Sequence, residues 1–417
     1  MNIYAPATSA ASRRPVMVYL HGGAFTIGAG ANYDPSRLAA SQDRVVVTIN
    51  FRNGALGWLA HPSFEADGDG AGGNWGLMDQ QAALRWVQDN IQTFGGDPAD
   101  VTLFGESSGA WSACYLMVSP HSEGLFKRVI LQSGPCLEPT SLVAIASAAR
   151  DGVPFAEALG CGGADAVACL RRIPAWKVAR AASTRSGLNG PGSWGPVFGD
   201  AVVPIAPPQA FEEGRFTGES VIIGSNADEG RLFATGVRSL ERYTAQTRWM
   251  FGADGDRVLA IYPADPDKPA YALARAFTDQ RFACPSHALR RVLSRHIPVY
   301  GYEFADPRPP FVVPEWISGL EMGSYHASEV AYVFGVSWLF ANTERFTVEQ
   351  RELSRRMMHM WAAFGHDDAF ASSWPTVSAG GGPVLIFAPQ GDWVDANFHN
   401  RRRCDFWDGT SFGAVAP

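Results

Sequence analysis

The chain has 417 residues, of which 46% are hydrophobic and 18% charged, with a formal net charge of −7. This balance supports a large buried core and excludes a disordered chain, and the acidic surface lacks the basic footprint that nucleic-acid binding needs. A small neutral or cationic ligand suits it better. No apolar run approaches the roughly 18 to 20 residues that cross a bilayer, and the first residues lack the basic-then-apolar pattern of a signal peptide, so the compartment stays open between cytoplasmic and secreted or periplasmic.

In chain order, β-branched runs occur at Val16–Leu20, Val45–Ile49, Val101–Phe104, Val129–Leu131, Val221–Ile223, Val299–Phe304 and Val384–Phe387, with helical patterns between them. This is the rhythm of a mostly parallel central β-sheet flanked by helices. Leu77, Leu84, Val87 and Ile91 recur at helical spacing, with Asp79, Gln81 and Asp89 assigned to other faces, which predicts a helix covering the sheet. Residues 141–215 and 236–298 are helical in pattern but interrupt the alternation, so they read as insertions that cap the sheet and wall a pocket. Without a Pro/Ser linker or internal repeat, residues 1–417 are expected to form one catalytic domain.

The chemistry concentrates at Gly105-Glu106-Ser107-Ser108-Gly109, which follows the strand run Val101–Phe104 and precedes the helix-compatible Ala110–Met117. A serine hydroxyl is a poor nucleophile at neutral pH, and a sharp strand-to-helix turn lifts it to where a base can reach it. Ser107 is therefore the candidate nucleophile. After the first clear strand, His21-Gly22-Gly23 offers backbone N–H groups unshielded by side chains. Gly22 and Gly23, with the N–H of Ser108 at the helix start, are the candidate oxyanion donors. Ile223-Gly224-Ser225-Asn226-Ala227-Asp228-Glu229 ends a buried run and offers two adjacent carboxylates. Chemistry alone does not choose between Asp228 and Glu229. Among nine histidines, His326 lies C-terminal to both the serine and the acids, the chain order Ser, Asp/Glu, His of α/β-hydrolases. His21 is expected to brace its turn; His121, His359, His366 and His399 sit in polar surroundings. None of the six cysteines shows zinc-site spacing, so no metal is expected, and Cys161 and Cys169 are placed to close a local disulfide or to remain buried thiols.

Together these segments resemble the type-B carboxylesterase and cholinesterase-like family. The likeness is carried by FGGDPADVTLFGESSGA, HGGAF, GNWGLMDQQAALRWV, LFKRVILQSG, NADEG and HASEVAYVFG, in the family's order. The resemblance implies an α/β-hydrolase fold and a serine carboxylesterase with Ser107 as nucleophile, Glu229 as acid, His326 as base, and Gly22, Gly23 and Ser108 as the oxyanion hole. It also implies supporting places near the triad for Glu106 and Ser133, and a disulfide between Cys161 and Cys169. No cofactor is implied, and the expected partner is a small-molecule ester of short to medium acyl chain, acted on by a monomer or homodimer. Amides, carbamates and lactones would suit the same triad, and some members of the family are non-catalytic adhesion proteins. The chain opens at MNIYAPA, inside what resembles the family's EDCLxLNI signature, so the expectation is either a wider pocket with an uncovered sheet edge or a longer natural protein.

Overall fold

A computed structural model of the chain describes residues 1–7, 13–66, 72–137, 142–163, 165–183, 193–313, 319–366, 370, 373–378 and 380–412. Its backbone contacts divide into two compact units, one holding Met1–Tyr33 with Arg44–Ser220, the other Asp34–Asp43 with the chain from Val221 onward.

The first unit is built on β1 (Asn2–Tyr4), β2 (Arg14–Leu20), β3 (Val45–Thr48), β4 (Gly96–Glu106) and β5 (Arg128–Gln132), in the order β1-β3-β2-β4-β5. β2 pairs parallel with β3 and β4, β5 pairs parallel with β4, and only β1 runs antiparallel, on β3. Continuous apolar runs such as Val45-Val46-Val47 and Val129-Ile130-Leu131 are fully buried. Strands covered on both faces have no reason to alternate. The helix Trp75–Asn90 buries Leu77, Leu84 and Val87, as its spacing predicts. Gln81 departs from that expectation: it is buried, and its amide donates to Ser119 Oγ at 2.8 Å and Ser122 Oγ at 3.1 Å. Hydrogen-bond partners distant in sequence make a buried glutamine acceptable. The helix Ser108–Val118 is buried along its whole length, and Cys114 within it is disulfide-bonded to Cys136.

Within the predicted insertion at 141–215, helices Ile145–Ala158, Ala166–Arg172, Ala175–Ala182 and Pro207–Glu212 accompany a two-stranded parallel sheet of β6 (Val143–Ala144) and β7 (Val197–Phe198). Cys161 and Cys169 are disulfide-bonded there. The sequence pattern missed β1, β6 and β7, each too short to show a period.

The second unit carries β8 (Ser220–Asn226), β9 (Val299–Phe304), β10 (Val384–Phe387) and β11 (Trp393–Asp395) in that order. The first three are parallel, and β11 returns antiparallel along β10. β11 also escaped the sequence reading, since it is three residues long and Trp393 and Val394 are exposed. Helices Leu240–Phe251, Gly255–Ile261, Pro269–Thr278 and Cys284–Leu293 fill the predicted insertion at 236–298, with a π turn at Asp279–Ala283. Cys284 is disulfide-bonded to Cys404, 120 positions away. Among the described residues no helix is long and apolar enough to cross a membrane, and no His, Cys, Asp and Glu cluster is arranged to hold a metal ion.

Candidate active site

In the first unit, β4 ends at Glu106, and the chain turns at Ser107 into the helix Ser108–Val118. Ser107 has φ 53° and ψ −125°, a conformation that L-residues with a side chain rarely adopt. Its N–H donates to Gln132 O at 2.8 Å and its carbonyl accepts from Trp111 N–H at 3.0 Å, so both neighbouring elements hold the strained residue. The glycines around it are required by close approach. A Cβ on Gly105 would lie 2.6 Å from the carbonyl carbon of Gly109, and one on Gly109 would collide with Leu20 O. Ser107 is buried, at 5% exposure. Ser108, Glu106 and Ser133 are buried too, and Ser133 at the end of β5 also has positive φ, at 54°.

β2 runs directly into His21-Gly22-Gly23. A Cβ on Gly22 would stand 2.6 Å from Glu106 Oε2 and 3.1 Å from Ser107 Cβ, so the structure brings this glycine against the serine turn. Gly23 has φ 123°, and its carbonyl accepts the N–H groups of Thr26 at 3.0 Å and Ile27 at 3.1 Å. The carbonyl is thus turned back into its own loop. His21 is buried, stacks on Phe51 at 4.2 Å between ring centroids, and donates from Nδ1 to Gly22 O at 2.9 Å. Burial pushes its pKa below the ordinary histidine value, with the Gly22 bond opposing, so the neutral ring acts as a brace for the turn.

In the second unit, Glu229 follows the end of β8 and is completely buried, at 0% exposure. Its Oε1 accepts the Asn226 N–H at 2.6 Å, and its Oε2 accepts from His326 Nδ1 at 2.6 Å. A bond of this kind fixes the tautomer: Nδ1 carries the hydrogen and Nε2 has the lone pair. The His326 ring packs against both Phe282, at 4.9 Å, and Phe233, at 5.3 Å. Asp228 is turned elsewhere. One of its oxygens pairs with Arg231 at 2.7 Å and the other accepts the Ser324 N–H at 3.1 Å. The structure therefore gives His326 to Glu229, a choice that loop composition left open. Asn226 was not singled out from the sequence. Its side-chain amide donates to Tyr325 O at 2.9 Å and Glu329 Oε2 at 2.5 Å, joining the segment before Glu229 to the one holding His326.

Of the other histidines, His121 and His359 are exposed and His366 is half-buried. His399 is half-buried in a chain of bonds, with Nδ1 3.0 Å from His287 Nε2 and Nε2 2.7 Å from Asp405. The aromatic side chains Phe25, Trp111, Trp194 and Phe334 are buried, and the Trp111 indole donates to Pro135 O at 2.5 Å.

A model of the carboxylesterase family matches residues 1–407. The chain belongs to the carboxylesterase family. It is 33% identical over 417 residues to the fumonisin B1 esterase of Sphingopyxis macrogoltabida, covering 94% of this chain and 72% of that protein. It is 34% identical over 394 residues to the para-nitrobenzyl esterase of Bacillus subtilis (strain 168), covering 90% of this chain and 76% of that one. A solved structure titled PNB esterase superposes with a TM-score of 0.78 at 30% identity, over 96% of this chain and 83% of that chain. These matches make the fold an α/β-hydrolase fold with a mostly parallel central sheet flanked by helices. They also make this member of the carboxylesterase family a carboxylic ester hydrolase acting on small-molecule esters.

Proposed function

We propose that this carboxylic ester hydrolase works by two-step acyl transfer on a Ser107-His326-Glu229 triad. The reading is carried by the buried 2.6 Å bond between Glu229 Oε2 and His326 Nδ1, a bond that leaves Nε2 in the form needed to accept a proton. His326 Nε2 takes the hydroxyl proton as Ser107 Oγ attacks the ester carbonyl carbon. The imidazolium so formed is stabilised by the Glu229 carboxylate. The N–H groups of Gly22, Gly23 and Ser108 hold the oxyanion, each such donor being worth about 3 to 4 kcal/mol in the transition state. The C–O bond to the alcohol then breaks, and Nε2–H protonates the departing oxygen. Water, deprotonated by the same nitrogen, attacks the acyl carbon and frees the acid and Ser107.

In this proposal the chain acts as one catalytic domain, with the helical regions 141–215 and 236–298 bordering the substrate. Glu106 and Ser133 support the serine turn, and short to medium acyl chains are the substrates. The test is hydrolysis of p-nitrophenyl esters from acetate to palmitate by the wild type and by Ser107→Ala, with far-UV circular dichroism as the folding control. Turnover with a butyrate optimum that Ser107→Ala abolishes supports the reading. Turnover that survives in a folded Ser107→Ala removes the nucleophile assignment, and an optimum at palmitate removes the chain-length proposal.

A further inference from the structure

We infer that Asp228, the carboxylate beside the catalytic acid, is a positioning residue that clamps the segment bearing His326 onto the segment bearing Glu229. The inference rests on the triad proposed above. The problem such a clamp solves is visible in the second unit: Glu229 follows β8, whereas Gly323–His326 belongs to no strand or helix, so sheet register does not align the two. A misplacement of about 1 Å can cost on the order of a hundredfold in rate, so the 2.6 Å bond between them needs its own alignment.

Asp228 grips Ser324 at two points. Its backbone N–H donates to Ser324 O at 3.1 Å, and its Oδ2 accepts the Ser324 N–H at 3.1 Å. This reciprocal pair sits one residue before Glu229 and two before His326. Oδ2 can come this close because residue 323 is glycine with φ 55°, and a Cβ there would collide with that oxygen. The other carboxylate oxygen is held by Arg231 at 2.7 Å, whose Nη1 donates to Glu321 O at 2.9 Å. The Arg231 guanidinium lies over the Tyr271 ring at 4.8 Å, and the Tyr271 hydroxyl accepts the Glu321 N–H at 3.2 Å. The clamp thus extends from Asp228 to residue 321. From the other side, Ser324 Oγ donates to Asp306 O at 2.6 Å, and Arg402 donates to Ala227 O at 3.1 Å. Both oxygens of Asp228 are committed to holding backbone and Arg231, which explains why a carboxylate so near His326 is not its partner.

The experiment compares Asp228→Ala and Asp228→Asn with the wild-type chain on p-nitrophenyl butyrate. kcat is expressed per site titrated by a phosphonate ester, so that any unfolded fraction cancels. Asp228→Ala, which removes the acceptor for Ser324, is expected to lower kcat by about ten- to a hundredfold with KM nearly unchanged. Asparagine keeps an oxygen for the Ser324 N–H, and Asp228→Asn is expected to recover most of that loss. Both variants remove the same charge from beside Arg231 and Arg402, so both should move the pH profile of kcat/KM alike, which separates charge from position. Wild-type kcat in Asp228→Ala overturns the proposal, and so does an Asp228→Asn as impaired as Asp228→Ala, since charge would then be the whole effect. His326→Ala is run alongside: full turnover there overturns the triad and this inference with it, whereas a dead His326→Ala with unaffected Asp228 variants overturns the clamp alone.

Discussion

Glu229→Gln is the substitution whose consequence can be worked furthest from the geometry. Glutamine has the shape of glutamate, so the buried site should not collapse. Glu229 makes two bonds at 2.6 Å, accepting the Asn226 N–H at Oε1 and His326 Nδ1–H at Oε2. The amide has one oxygen for these two donors. If the oxygen stays on Asn226, the NH₂ group faces Nδ1 and donates to it, which moves the ring hydrogen to Nε2 and leaves no lone pair for the Ser107 proton. If the amide flips, NH₂ meets the Asn226 N–H with no acceptor in a site that has 0% exposure. The first arrangement costs less, so the wrong tautomer should dominate. Replacing the triad acid by its amide in this manner lowers kcat about 10⁴-fold, equivalent to about 5 kcal/mol of transition-state stabilisation. Initial rates on p-nitrophenyl butyrate give kcat directly, with circular dichroism confirming the fold. A Glu229→Gln enzyme within about tenfold of wild type would refute the argument, because the tautomer could not then depend on this carboxylate.

Gly22→Ala places a methyl 2.6 Å from Glu106 Oε2 and 3.1 Å from Ser107 Cβ, so kcat should fall by about 10² or more and the thermal transition should fall with it; wild-type kcat would remove Gly22 from the oxyanion site. The disulfides close loops of 120, 22 and 8 positions, and chain entropy assigns them about 5, 3 and 2.5 kcal/mol, so replacing Cys284–Cys404 by serines should shorten the half-life at elevated temperature most and Cys161–Cys169 least. The reverse ranking would contradict this. Burial, followed by the charges of Arg290, His399 and Arg291, lowers the His287 pKa from 6.5 to about 2. Between these values the unfolded chain binds the extra proton, so the stability contributed by His287 is present above pH 6.5 and is lost as pH falls below it. His287→Gln should therefore flatten the acid limb of a stability-against-pH curve by up to about 1.4 kcal/mol per pH unit, and an unchanged slope would show that His287 does not titrate in this way.

What could be read from the sequence was what depends on neighbours along the chain. The apolar runs that became β2, β3, β5, β8, β9 and β10 were legible because strands buried on both faces need continuous apolar residues. The serine turn was legible because strand, glycines, serine and helix are consecutive. β4 reaches back to Gly96 through Asp97-Pro98-Ala99-Asp100, a stretch no strand propensity would select, because sheet pairing at Gly96 with Arg14 supports it. The burial of Gln81 is invisible to helical spacing because its partners, Ser119 and Ser122, lie some 40 positions ahead. Of the disulfides, the pair eight positions apart could be suspected, whereas Cys284 with Cys404 required the fold. Adjacent carboxylates at Asp228 and Glu229 are equivalent in composition, and family resemblance favoured the second. The physical reason lies in where Ser324 and His326 stand, since each carboxylate meets a different one of them.

The proposed mechanism stands on Ser107 as the nucleophile, and covalent capture by an organophosphate examines that assignment without reference to rates. The purified chain is incubated with diethyl p-nitrophenyl phosphate, its intact mass is recorded, and the modified peptide is sequenced while residual esterase activity is followed. One diethylphosphoryl group per chain is expected, on Ser107, appearing in step with the loss of activity and absent from Ser107→Ala. Activity that persists in a chain fully modified at Ser107, or inactivation with the label on another residue, would contradict it.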